Sequence, residues 1–71
     1  MAFDYAKLKG KIIEKYGSQI EFAKAMQVSE NTLSLKLNNK VRFTADDIVQ
    51  ITDLLGVDKN EVGQYFFTQR V

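Results

Sequence analysis

The spacing of apolar positions divides the chain into five short helical segments. Tyr5, Leu8, Ile12 and Tyr16 recur every three or four residues and draw one apolar stripe along a first helix. That helix is predicted from about Asp4 to Tyr16, with Gly17 as its left-handed stop. Gly10 interrupts it at a cost of roughly 1 kcal/mol relative to alanine, so either a second helix crosses closely there or the cost is simply tolerated. A second helix opens with Ser18-Gln-Ile-Glu21, a capping-box pattern, turns Phe22, Ala23 and Met26 inward, and ends near Met26 or Gln27. Val28 plugs the turn that follows. Ser29 caps a third helix over about Glu30 to Leu37.

Asn38-Asn39-Lys40 is a turn, because asparagine tolerates the left-handed region, and Val41 and Phe43 anchor the connection beyond it. Thr44 caps a fourth helix, with Asp46 and Asp47 at its positive end and Ile48, Ile51, Leu54 and Leu55 as its stripe; Gly56 ends it. Asp58-Lys-Asn-Glu61 repeats the capping-box pattern and opens a fifth helix through about Tyr65. The tail from Tyr65 to Val71 can finish the core, extend as an edge strand or form a dimer contact. No alternating strand segment precedes it. The fold class is therefore all-α, a compact five-helix bundle, with residues 1–71 as one domain and a tail over 66–71.

Residues 19–38 read as helix, tight turn, helix. Such a corner needs a small residue where the helices cross, which Ala23 supplies, and apolar residues that hold them together, which Phe22, Met26, Val28 and Leu33 supply. Leu33 and Leu37 share one face of the third helix. Leu35 lies about 200° round from Leu33 and projects outward. The outward side then carries Glu30, Asn31, Thr32 and Ser34, followed by Lys36, Asn39, Lys40 and Arg42. A helix so presented places polar side chains in a groove while its surroundings meet phosphate, and Thr32 and Lys36 are phosphate candidates on the helix itself.

Charge is distributed unevenly. Residues 1–42 hold eight basic and four acidic residues, giving +4, and residues 43–71 hold two basic and five acidic, giving −3, so that the net is +1. One face for an anion and another turned away fits this asymmetry, as do solvated helix faces. The chain has no cysteine and no histidine, which removes disulfides, thiolate metal cages, the usual zinc ligands and the commonest general base. No cofactor is expected. Catalysis would need paired carboxylates or a perturbed lysine in a pocket, and Asp46 and Asp47 point about 100° apart on a helix, so no enzyme is expected. No apolar run approaches the roughly 20 residues of a membrane span, and the N-terminus lacks a signal-peptide stretch, so a cytoplasmic protein is expected.

The bipartite segment 19–38, the asparagine-rich turn and the ending DIVQITDLLGVDKNEV resemble the Cro/CI (XRE-like) helix-turn-helix family of phage and bacterial repressors. FDYAKLKGKIIEKYGSQIEFAKAM, SENTLSLKLNNKV and YFF resemble the small Cro-like regulators of phages. The resemblance covers almost the whole chain. It implies a lambda-repressor-like DNA-binding fold and a phage- or prophage-encoded protein of the bacterial cytosol. By that resemblance Gln19 bonds phosphate and braces the recognition residues; Glu30, Asn31, Ser34 and Leu35 face the major groove; Asn39, Lys40 and Arg42 contact the DNA backbone. By their chemistry Asn31 suits adenine, Glu30 a cytosine amino group and Leu35 a thymine methyl. Glu30 equally suits a helix N-terminus as a favourable charge, and each lysine suits solvated surface. The sequence departs from the family pattern at Gln27, where the turn glycine stands, and at Lys36, a usually apolar position.

Two functions follow. One is a sequence-specific regulator that binds a double-stranded DNA operator as a homodimer, with helix 30–37 in the major groove. The other is an antirepressor or modulator that forms a heterodimer with a phage repressor through the same surface. Glu30, Asn31, Leu35, Tyr65 and Phe67 are its candidate contacts.

Overall fold

The computed structural model describes residues 3–69. Its architecture is all-α: α1 Ala6–Tyr16, α2 Gln19–Met26, α3 Glu30–Leu37, α4 Ala45–Leu55 and α5 Val62–Phe66, with one 3₁₀ turn, Lys59–Glu61, before α5. α2 packs against α1, α3 and α4, and α5 closes on α1. Among the described residues twelve apolar side chains form the core: Tyr5, Leu8, Ile12, Phe22, Ala23, Met26, Leu33, Leu37, Ile51, Leu55, Tyr65 and Phe66. Phe3, Tyr16, Val28, Phe43, Ile48, Leu54, Val57 and Val62 pack around it.

Local chemistry sets most boundaries. The Ser18 hydroxyl oxygen accepts from the Glu21 amide at 3.2 Å, and Ser29 accepts from the Thr32 amide at 3.1 Å. At α4 the capping box is complete: the Thr44 hydroxyl accepts from the Asp47 amide, and the Asp47 carboxylate accepts from the Thr44 amide. Gly17 at φ 85° and Gly56 at φ 66° end α1 and α4 in the left-handed region, where a Cβ is disfavoured.

Several expectations need correction. α1 begins at Ala6 rather than near Asp4, because the Asp4 carboxylate accepts from the Ala6 amide at 2.9 Å and acts from outside the helix. Glu21 does not complete a capping box; its carboxylate lies 3.4 Å from the Lys24 ammonium. Asp58 accepts from the Asn60 amide, two residues on, and this tighter bond starts a 3₁₀ turn before α5. Gly10 marks no close crossing, since a Cβ there would meet nothing within 4 Å. Val41 is 46% exposed and anchors nothing in the core. Phe43 alone anchors that connection, edge-on to Tyr5 and Phe66 with ring centroids 5.2 and 5.4 Å away.

The tail divides between roles. Tyr65 and Phe66 finish the core, while Phe67 stays 54% exposed. The Asp4 amide donates to the Thr68 carbonyl at 2.7 Å, and Phe3 and Gln69 form an isolated antiparallel bridge. Residues 70 and 71 of the predicted tail lie outside the described residues.

Candidate functional site

The α2–α3 corner is built from main-chain bonds that α2 leaves free at its end. Gln27 sits at φ 60°, ψ 37°. Its amide donates to the Lys24 carbonyl at 3.1 Å, and the Val28 amide donates to the Ala23 carbonyl at 3.0 Å. This paired pattern is the Schellman ending, normally given to glycine. A side chain in this conformation costs about 1–2 kcal/mol, and the hydrogen bonds hold it in place. From α4 the Gln50 side-chain amide (Nε2) donates to the Met26 carbonyl at 3.2 Å and satisfies another free acceptor of α2. Ala23 and Leu33 lie in the same buried cluster, and Val28 packs against it.

α3 ends in the same way. Asn39 has φ 63°, its amide donates to the Lys36 carbonyl at 3.3 Å, and the Lys40 amide donates to the Leu35 carbonyl at 2.9 Å. With Leu33 and Leu37 buried, the opposite side of α3 exposes Asn31 and Leu35, the leucine at 38%, and Glu30 is exposed at the helix start. Ser34 and Thr32 are half-buried. The Ser34 oxygens accept from the Asn38 side-chain amide, and the Thr32 hydroxyl oxygen accepts from the Ser29 hydroxyl at 2.8 Å. Gln19 is half-buried at the start of α2, and Lys40 and Arg42 are exposed beyond α3.

Three residues read as contacts have partners within the fold. Lys36, expected at phosphate, forms an ion pair with Asp47 in which the side chains are only 13% and 15% exposed. The pair ties α3 to the first turn of α4. Burial alone would raise the Asp47 carboxyl, but the Lys36 ammonium and the Thr44 amide and hydroxyl outweigh it and hold the carboxyl below its ordinary value. Asn39, also expected at phosphate, spends its side-chain amide on the backbone of Phe3, with bonds of 3.1 and 2.9 Å. Tyr65, expected at a partner interface, is in the core, with the Lys7 ammonium 4.9 Å from its ring centroid. Phe67, its companion in that expectation, is on the surface.

The exposed side of α3 is therefore weakly charged. Its lysine is neutralised by Asp47, Glu30 remains at its N-terminus, and Leu35 adds apolar area. Among the described residues, the nearest cations in sequence outside any ion pair are Lys40 and Arg42. Among the described residues no cluster of histidine, cysteine or carboxylate side chains could hold a metal ion, and no helix is long and apolar enough to cross a membrane. Sequence reading missed the roles of Asn39, Asp47 and Gln50. Only Asp47 left a local signal, the Thr44-Ala-Asp-Asp47 spacing of a capping box.

Compared with known proteins, residues 1–69 match the family described as "Protein of unknown function (DUF739)". Among solved structures the chain is similar to the solution structure of the modulator of repression (MOR) of the temperate bacteriophage TP901-1 from Lactococcus lactis. The two are 45% identical with a TM-score of 0.84, over 100% of this chain and 96% of that one. No curated protein matches.

Proposed function

The chain belongs to the DUF739 family, and on that footing we propose that it modulates repression by pairing with a phage-type repressor and altering the repressor's DNA binding. The observation that carries this reading is its likeness, over the full chain and at 45% identity, to a phage modulator of repression. The character of α3 supports it. A DNA reader draws most of its affinity from cations on phosphate. Here the lysine of α3 is bound to Asp47, and Asn39 is bound to Phe3. Exposed Leu35, flanked by the uncharged Asn31 and Ser34, is the composition of an interface centre, where charged residues are depleted. In this reading Glu30, Asn31 and Leu35 meet the repressor, and the cell compartment is the bacterial cytosol.

The test is to mix the protein with the repressor of its own switch region. A heterodimer on size exclusion, together with release or supershift of the repressor from operator DNA, is the expected result. Absence of any complex, with the repressor's DNA shift unchanged, overturns the reading.

A second reading is a Cro-like, sequence-specific DNA-binding protein. The exposed Lys40 and Arg42 just beyond α3 favour it, as does the resemblance of residues 19–38 to the helix-turn-helix of Cro/CI repressors. It requires the protein alone to shift operator DNA, with affinity that falls steeply as salt rises.

A further inference from the structure

Beyond the end of α3 the surface opens into a groove of about 530 Å³, walled by Phe3, Val41, Phe43, Ile48 and Phe67, with Arg42 among its lining residues. That volume falls within the size range of ligand-binding clefts. The wall is aromatic and ordered by ring packing: Phe3 meets Phe67 edge-on at 5.9 Å, and Phe43 is wedged edge-on against Tyr5 and Phe66 behind it. Val41 and Phe67 nevertheless stay 46% and 54% exposed, an apolar area that the described residues leave open.

Arg42 is the one charged residue among the described lining residues. Its side chain is exposed, and none of the ion pairs among the described residues includes it. Lys40, also exposed, lies two positions away and is likewise unpaired among them. The mouth of an apolar groove thus carries positive charge that no described residue matches. A guanidinium presents a planar fork of donors that fits a carboxylate with two parallel hydrogen bonds. A DNA phosphate could satisfy Arg42 but would leave the aromatic wall without a counterpart. An apolar side chain with a carboxylate beside it satisfies both.

We propose that this groove docks an acidic amphipathic segment of a partner protein, one large apolar side chain seating on Val41, Phe43 and the Phe3–Phe67 ring pair and a neighbouring carboxylate closing on Arg42. The proposal goes beyond the reading of α3 and does not depend on it. The groove's Val41 is nonetheless tied to the end of α3, since its amide donates to the Leu35 carbonyl at 3.3 Å.

The experiment uses two short helical peptides that share one leucine- and phenylalanine-bearing face and differ only in having glutamates or lysines on the other. Each is titrated into the isotope-labelled full chain and followed by amide NMR shifts. The acidic peptide is expected to move the amides of Phe3, Val41, Phe43 and Phe67, and the basic one to leave them in place. Arg42→Glu should weaken the acidic peptide about fivefold and Phe67→Ser should weaken it too, with the dispersed amide spectrum showing that both variants are folded. The proposal is overturned if neither peptide moves these amides, if both bind equally, or if acidic binding survives Arg42→Glu. Random duplex DNA moving the same amides, or the free protein moving them as its own concentration rises, would also overturn it by naming DNA or a second copy as the occupant.

Discussion

Asn39 holds Phe3 by both ends of its side-chain amide: Nδ2 donates to the Phe3 carbonyl at 2.9 Å, and Oδ1 accepts from the Phe3 amide at 3.1 Å. The two residues are 36 positions apart. The side chain imitates a strand partner for a segment whose other side pairs with Thr68 and Gln69. One asparagine thereby joins three parts of the chain: the N-terminal segment, the turn after α3 and the tail. It also ends α3 in the left-handed region.

Two substitutions separate these tasks. Asn39→Gly keeps the backbone conformation and removes the tether, at an expected cost of about 1–2 kcal/mol. Asn39→Ala adds left-handed strain for a total of about 2–3 kcal/mol. Chemical denaturation measures both, and a glycine variant as stable as the parent shows that the tether contributes nothing.

The Lys36–Asp47 pair predicts a pH dependence. The Asp47 carboxyl is held below its ordinary value of 3.8 in the folded state, so its contribution is fully present above that value. The contribution is lost as pH falls through the lower folded value. Asp47→Asn should cost about 1–3 kcal/mol at neutral pH and flatten the loss of stability on acidification below about pH 4. Denaturation midpoints between neutral and strongly acidic pH provide the check, and parallel parent and variant curves would remove Asp47 from the acid transition.

Glycine exchanges at two positions should both stabilise, in opposite directions of substitution. Gly10 lies within α1 with open space where a Cβ would be, so Gly10→Ala should gain roughly 1 kcal/mol in helix propensity. Gln27 already occupies φ 60°. Gln27→Gly relieves about 1–2 kcal/mol of left-handed strain and gives back about 0.4–1 kcal/mol through a freer unfolded chain, a net gain of up to about 1.5 kcal/mol. Thermal melts test both, and a destabilised Gln27→Gly variant would mean that the glutamine side chain itself supports the corner.

Leu35 and Asn31 distinguish the two proposed functions. Leu35→Lys should weaken a repressor complex by about 1–3 kcal/mol, since it places a charge in an apolar contact, and an intact complex would move the interface elsewhere. In the DNA-binding reading, Asn31→Ala should cost about 1–3 kcal/mol on the right operator and little on random DNA. Equal losses on both duplexes would exclude base reading by this residue. Titration calorimetry serves the first measurement and gel shifts the second.

Helix positions and ends were legible because their causes are local. Ser18, Ser29 and Thr44 cap within three residues, Gly17 and Gly56 end helices by their own φ, and the apolar spacing of α1 and α4 needs only the helix period. The expected bounds of α3 coincide with those observed, Glu30–Leu37, for that reason. The spent contacts are different. Lys36 is committed by a carboxylate on the next helix, Asn39 by a backbone segment at the other end of the chain, and Tyr65 by the way the tail folds onto α1. A side chain with unused donors looks the same in sequence whether it will face solvent or a distant partner. Periodicity assigns faces, but only packing decides which polar groups on those faces remain free to bind something else.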